Sequence, residues 1–259
     1  YPISTGEAEL VPDGYHADGW LLLVNGVQSS HVIVGQPRML DFEYMRWIAA
    51  VLDSHIQTHL NPEKLRITHL GGGACSLARY CADVYPNSRN TVVELDAKLA
   101  EYVREWFDIP KSPRVKIRVG DAGTVTRSFA PASRDVVIRD VFAVDKTPAE
   151  LTSVDFVREV DHSMAPGGLY ILNCGDGPSL DGARAEVAAL FEVFEQVCLV
   201  ADAAMLKGRR RGNIIIAASH SPLPAAGSAE AAAISRTLMG GGVPAQYRDS
   251  AQTRQFARL

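Results

Sequence analysis

Apolar and polar positions along this chain follow two different periods, and the change from one to the other marks its organisation. From Trp20 to Val34 two β-rich runs flank Asn25-Gly26, the strongest short-range hairpin signal. A small N-terminal β unit is expected there. From Phe42 to Ile56 the apolar residues Tyr44, Trp47, Ile48, Val51 and Leu52 recur at helical spacing. That spacing predicts an amphipathic helix leading into the main domain.

After Pro62 strand patterns alternate with helical ones. Residues 66–70, 90–95, 115–119, 135–140 and 168–173 read as strands, residues 180–194 as a long helix, and 197–200 and 213–218 as further apolar runs. Residues 219–242, rich in Pro, Ala and Gly, read as a loop with one short helix. Strands separated by helices imply right-handed crossovers and a mainly parallel sheet covered on both faces. The expected fold is α/β, a doubly wound, mainly parallel, Rossmann-like sheet with a small N-terminal β subdomain. Residues 1–55 are expected to form the hairpin subdomain and connecting helix, and 56–259 the nucleoside-binding domain. In such a sheet ligands sit beyond the carboxyl ends of the strands, at the switch point.

Composition narrows the function classes. With 259 residues, 47% hydrophobic and 22% charged, the chain has the balance of a soluble globular protein with room for a large core. A net charge of −4 gives no global attraction for phosphate backbones or anionic lipid, so neither nucleic acid nor membrane is an expected partner. Cys75, Cys81, Cys174 and Cys198 are scattered without a C-x-x-C pair or a close Cys/His cluster, so buried reduced thiols are expected and no metal site is signalled. No apolar run is long enough to span a bilayer, and Tyr1-Pro2-Ile3-Ser4 does not read as a signal peptide. A cytoplasmic setting is expected.

The candidate chemistry sits at the strand ends. The first strand of the main domain runs into Gly71-Gly72-Gly73-Ala74-Cys75-Ser76, a turn whose small residues let a nucleotide approach the backbone and the next helix. The second ends in Glu94, about 20 residues on, where such a site places an acid for ribose hydroxyls. The third ends in Gly120-Asp121-Ala122, where a carboxylate can accept from an adenine amino group. Asp140 ends the fourth. Each has an ordinary reading too, the glycines as tight turns and the acids as helix caps or solvated strand ends. Their coincidence in register with four strand ends favours a nucleoside pocket, of a kind suited to an adenosyl group such as that of S-adenosylmethionine.

With those residues in place the chain resembles the aminopropyltransferases, of which spermidine synthase is the best-known member. Residues His69 to Arg79 are similar to that family's glycine-rich turn, Val93-Glu94-Leu95-Asp96 to its ribose-binding Glu-Ile-Asp, and Gly120-Asp121-Ala122 to its Gly-Asp-Gly. Leu23 to Gln28 resembles its N-terminal hairpin, Asp41 to Tyr44 its helix start, Thr147 to Leu151 its Gly-Pro-Ala-x-x-Leu segment, and Ala165-Pro166-Gly167-Gly168 its Pro-Gly-Gly turn. Tyr247 and Phe256 match the spacing of its closing aromatic residues. The likeness covers the chain from about Trp20 onward.

The resemblance implies a sheet of the S-adenosylmethionine-dependent methyltransferase type. It also implies polyamine biosynthesis, in which an aminopropyl group passes from decarboxylated S-adenosylmethionine to a small-molecule amine and leaves methylthioadenosine. On that resemblance Asp140 is the catalytic acid, Tyr44 lines the amine channel, Gln28 faces the nucleoside thioether, and a homodimer forms through the N-terminal β unit. Tyr44 is equally on helical spacing with core residues, and Gln28 equally an exposed hairpin residue.

The departures from the family pattern fall on the substrate half of the site. Ala74 and Ala143 stand where the family has aspartates, Met45 replaces a Gln or His, and Arg209-Arg210-Arg211-Gly212 replaces Tyr-Pro-Ser-Gly. A buried ammonium without a carboxylate partner costs several kcal/mol, so carboxylates lost and cations gained point away from a diamine. If Arg209–Arg211 line the pocket, a neutral or anionic acceptor follows; the other reading of that run is a solvated loop. Two alternatives to aminopropyl transfer stay open, an S-adenosylmethionine-dependent methyltransferase and a non-catalytic nucleoside-binding homologue. Arg139, next to Asp140 on its strand, is expected to face the other side of the sheet.

Overall fold

In the computed structural model, which describes residues 1–143 and 146–259, the expected hairpin lies within a four-stranded antiparallel sheet. Its strands are β1 (Pro2–Ile3), β2 (Gly6–Pro12), β3 (Gly19–Val24) and β4 (Val27–Ile33), in that order. Asn25 and Gly26 both take positive φ, 52° and 76°, the backbone of a two-residue turn whose twist suits the strands it joins. The first two strands carry little apolar signal, because the one residue that β2 buries completely is the small Ala8.

The main sheet has eight strands: β5 (Arg66–Leu70), β6 (Arg89–Glu94), β7 (Val115–Val119), β8 (Arg134–Arg139), β9 (Met164–Asp176), β10 (Gln196–Ala201), β11 (Gly212–Ser219) and β12 (Gln246–Arg248). Their order is β12-β10-β11-β9-β8-β5-β6-β7. The strands from β9 to β7 are parallel, as the alternation of strands and helices predicts. At the other margin β11 runs antiparallel to both β9 and β10, and β12 antiparallel to β10. Residues 202–211 are too few for a parallel crossover, which takes a dozen or more, so β11 has to turn back.

The α-helices of the described residues are α1 (Glu43–His59), α2 (Ser76–Val84), α3 (Ala97–Trp106), α4 (Ala122–Arg127), α5 (Val154–Ser163), α6 (Asp181–Phe191), α7 (Ala203–Leu206), α8 (Ala229–Met239) and α9 (Ser250–Ala257). The period-2 alternation of β8 explains how they divide. Val136 and Ile138 join Ile48, Leu52 and Ile56 of α1 in one core, whereas Val137 joins Val157 of α5 and Val187 of α6 in another. Ile48, Leu52 and Ile56 are fully covered, each contributing about 1.5–3 kcal/mol by burial. The position between residues 55 and 56, where the two parts of the chain were expected to meet, falls inside α1, which packs with the main sheet. A third core joins Leu22 and Val32 of the small sheet to Ala78 of α2 and Val103 of α3.

The sheet order reverses between β5 and β8, since β6 and β7 lie to one side of that pair and β9 to the other. The crevice beyond their carboxyl ends is therefore the switch point of the fold. There Asp140 donates its backbone N–H to Leu70 O at 2.8 Å, which brings the glycine turn and Asp140 side by side.

Candidate active site

The turn after β5 is squeezed from two sides. At Gly71, with φ +92°, a Cβ would lie 2.2 Å from the carbonyl oxygen of Asp140. At Gly73, with φ +46°, it would lie 2.5 Å from Ser30 Oγ. Only glycine fits either place. The small sheet clamps the same turn: Ala74 N–H donates to Ser30 Oγ at 3.0 Å, and Ser76 Oγ donates to the His31 carbonyl at 2.9 Å. Ala74 itself is fully buried. The Cys75 thiol, buried at the start of α2, is pushed up to about 12 by desolvation, and all four cysteines are buried and free.

Glu94, at the end of β6, faces the turn. Its Oε2 accepts from the N–H groups of Gly72 and Gly73 at 3.0 and 3.2 Å, and its Oε1 from Asp96 N–H at 2.9 Å. Burial raises its pKa, while these backbone donors pull the other way. Asp121 caps α4, accepting from Thr124 N–H at 2.7 Å, and the backbone donors of that first turn hold its carboxyl below the usual range. Its ordinary reading as a helix cap is therefore correct, and it lines the cavity as well.

Asp140 is held from two elements. The Tyr44 hydroxyl, from the first turn of α1, donates to its Oδ2 at 2.9 Å, and Asn173 Nδ2 of β9 donates to its Oδ1 at 3.0 Å. Desolvation raises the Asp140 pKa against these hydrogen bonds and the nearby Arg139 charge. Desolvation and the Asp140 charge together keep the Tyr44 phenol well above its ordinary range, so it stays protonated and donates. Arg139 points to the opposite face as expected, fully buried, where it donates to Glu186 of α6 and to the Leu151 carbonyl.

These groups share one cavity of about 1080 Å³. Every residue expected at the site lines it: Gly71 to Gly73, Glu94, Asp121 with Ala122, Gln28, Tyr44 and Asp140. Gln28 is exposed on β4, at the rim. Other polar residues that sequence reasoning did not mark line it as well. Ser30 reaches the turn from the small sheet, Asn173 lies beside Asp140, and Glu43 and Asp176 also line the cavity. Glu43 and Asp176 are thus carboxylates of the cavity in addition to Glu94, Asp121 and Asp140, while positions 74 and 143 remain alanines. Of the three arginines Arg211 lines the cavity, whereas Arg210 is tied to Asp202 and Arg209 is exposed. All three are exposed, as the reading of a solvated run expects.

Away from the cavity, Asp13 Oδ2 lies 2.8 Å from His16 Nδ1 and 2.9 Å from His31 Nε2. This is the one group among the described residues whose ligand atoms are close enough for a metal ion. Direct hydrogen bonds already join its members, clasping the loop before β3 onto β4. Among the described residues no helix is long and apolar enough to cross a membrane.

No family model matches the chain. A probable spermidine synthase from Corynebacterium glutamicum ATCC 13032 superposes with a TM-score of 0.97 and is 58% identical, covering 99% of this chain and 92% of that one. The mouse eEF1A lysine and N-terminal methyltransferase is 31% identical over 144 residues, 51% of this chain and 20% of the relative. The polyamine aminopropyltransferase of Vibrio vulnificus (strain CMCP6) is 26% identical over 140 residues, 53% of this chain and 45% of the relative. The chain thus matches from a fifth to under half the length of these two curated relatives. The Corynebacterium likeness runs end to end, and on its strength the protein belongs to the spermidine synthase-like aminopropyltransferase family.

Proposed function

We propose that this protein transfers an aminopropyl group from decarboxylated S-adenosylmethionine to an amine, releasing methylthioadenosine. The observation that carries the reading is the half-buried Asp140 carboxylate, held by Tyr44 and Asn173 in the cavity that also presents Glu94 and the glycine turn. Glu94 receives the ribose hydroxyls, its oxygens having lone pairs beyond those its backbone donors use. Asp121 accepts from the adenine amino group, and Gly71 to Gly73 and Ala122 leave room for the nucleoside. Gln28 closes over the thioether. Tyr44 and Asp140 mark the amine side.

The sulfonium of the donor supplies the leaving group. The lone pair of a neutral amine forms the new C–N bond to the carbon beside sulfur. The C–S bond breaks with its electron pair going to sulfur, and the amine proton passes to Asp140. A carboxylate whose pKa burial has raised is better matched to that proton. Incubation with decarboxylated S-adenosylmethionine and a panel of amines should release methylthioadenosine, and Asp140→Asn should lower the rate by about 10²–10⁴-fold. Failure to release it with any amine rejects the reading. A two-fold dimer through the small sheet belongs to the same proposal and rests on the family likeness alone; a cytoplasmic setting is proposed with it.

A second reading, methyl transfer from S-adenosylmethionine, is favoured by Ala74. No acid stands there to grip an aminopropyl ammonium or to repel a methionine carboxylate, and a methyltransferase is among the relatives. Calorimetry with the two cofactors separates the readings. Preference for the decarboxylated form discards the second, preference for S-adenosylmethionine discards the first, and binding of methylthioadenosine without turnover of either leaves a nucleoside-binding homologue.

A further inference from the structure

The loop before β3 is built around one carboxylate. Asp13 Oδ1 accepts from the backbone N–H groups of Tyr15 and His16, at 2.8 Å each, which fixes the plane of the group. The chain closes around it, Gly19 N–H donating to the His16 carbonyl at 3.0 Å and Asp13 N–H to the Gly19 carbonyl at 3.1 Å. Gly19 is not in the left-handed region, yet a Cβ there would lie 2.1 Å from Asp13 Oδ2. Glycine at that position clears the seat of the carboxylate.

Two rings converge on Oδ2. His16 Nδ1 lies 2.8 Å from it and His31 Nε2, from β4, lies 2.9 Å away, and the three atoms are within 4.8 Å of one another. The His31 and Asp13 side chains are 5% and 8% exposed, whereas His16, at 41%, opens to solvent. The His31 contact alone ties the loop to β4. The His16 ring, on the same loop as Asp13, adds nothing to that tie. His31 Nδ1 has no hydrogen-bond partner among the described residues, so nothing holds the ring to one tautomer. Nε2 becomes a ligand when its proton moves to Nδ1.

We propose that Asp13, His16 and His31 form a structural site for a first-row divalent metal ion of the zinc class. Two imidazole nitrogens and a carboxylate oxygen suit zinc, whereas magnesium and calcium take oxygen ligands. Around a tetrahedral zinc such atoms sit about 3.3 Å apart, so both contacts open by about half an ångström, and a water completes the set from the His16 side. The ion replaces two hydrogen bonds with three metal–ligand bonds between the loop and β4. That strand also holds the glycine turn, through Ser30 Oγ and the His31 carbonyl, so the ion braces the small sheet against the start of α2. None of the three residues lines the cavity, and the site is independent of which group the protein transfers.

The test uses the full chain, stripped of metal with a chelator and desalted, with zinc, magnesium and cobalt(II) chlorides as probes. Calorimetry should show a single zinc site, about 100-fold or more tighter than any magnesium binding. Zinc at a hundred-fold excess over its Kd should raise Tm by about 5 °C or more. Cobalt(II) should give the strong visible absorption of a tetrahedral site. His16→Ala removes the exposed ligand and leaves the His31 contact, so it should fold as the wild type does and bind zinc about 100-fold more weakly. Asp13→Asn keeps an oxygen for the two backbone donors and should weaken zinc by about ten-fold or more.

Absence of zinc binding, or binding without a rise in Tm, overturns the proposal. So does magnesium bound as tightly as zinc, or a cobalt spectrum like that of the hydrated ion. A folded variant, at either position, that keeps the wild-type zinc affinity overturns it as well, because the ion then lies elsewhere.

Discussion

Tyr44 and Asp140 lie 96 positions apart in the chain and meet at 2.9 Å, phenol donating to carboxylate. The contact joins the first turn of α1 to the end of β8, so folding α1 onto the sheet also sets the charge state of the acid. Removing it with Tyr44→Phe takes away a hydrogen bond that favours the ionised form of Asp140. The Asp140 pKa should rise further, and the acid limb of the pH–rate profile should move to higher pH. At neutral pH the rate should fall by about ten-fold, the value of one hydrogen bond to a charged group. A profile whose acid limb stays in place would show that Asp140 is not the group that titrates.

Glu94 gives a prediction independent of which group is transferred. Replacing it with Gln keeps an oxygen for the N–H groups of Gly72 and Gly73 but removes the charge that would strengthen bonds from two ribose hydroxyls. Methylthioadenosine should bind about 10- to 100-fold more weakly, measured by calorimetry. Unchanged affinity would mean that the ribose lies elsewhere.

Much of this site was legible before the fold was known, because strand ends can be located from alternation alone. Glu94, Asp121 and Asp140 each follow directly on a run of β-type residues, and a parallel sheet brings such ends to one rim. Asn173 was not legible. It lies within β9, and nothing local says that β9 pairs with β8 or that residue 173 comes beside residue 140. That information is in the sheet order, as is the antiparallel β11. Ser30 and the Asp13–His31 contact stayed hidden for the same reason, being products of how the small sheet folds and docks. Arg139 was placed on the correct face by alternation, but its partner Glu186 sits on a helix 47 residues away.

The glycine turn can be tested against a second left-handed glycine. Gly71→Ala would drive a Cβ to 2.2 Å from the Asp140 carbonyl, so the strand end carrying Asp140 must shift. Loss of about 2–4 kcal/mol in urea unfolding is expected, together with loss of turnover. Gly14 also has positive φ, +78°, but a Cβ there meets nothing within 4 Å. Gly14→Ala should cost only about 1 kcal/mol of backbone strain and leave turnover intact. Equal losses in the two variants would mean that strain, rather than the clash with Asp140, governs the turn.

His55 makes stability fall with acid over a defined window. Its ring is buried against the sheet with Nε2 donating to the Gly167 carbonyl at 2.8 Å, and desolvation lowers its pKa to about 4. In the unfolded chain the value is about 6.5. Between these limits the unfolded state holds a proton that the folded state does not, so acidification favours unfolding. The stabilisation is complete above about pH 6.5 and is lost progressively toward pH 4, by about 3 kcal/mol in all. His69, also buried and lowered to about 4, acts in the same direction. The raised carboxyls of Asp53, Glu94, Asp140 and Glu186 act in the opposite one, since the folded state protonates first. His55→Gln keeps a donor for Gly167 and removes only the titration, so the difference between wild type and variant cancels every other group. Urea unfolding at pH 7, 5.5 and 4 should show the wild type losing about 3 kcal/mol more than the variant. A constant difference across that range would mean that the ring is already charged inside the fold.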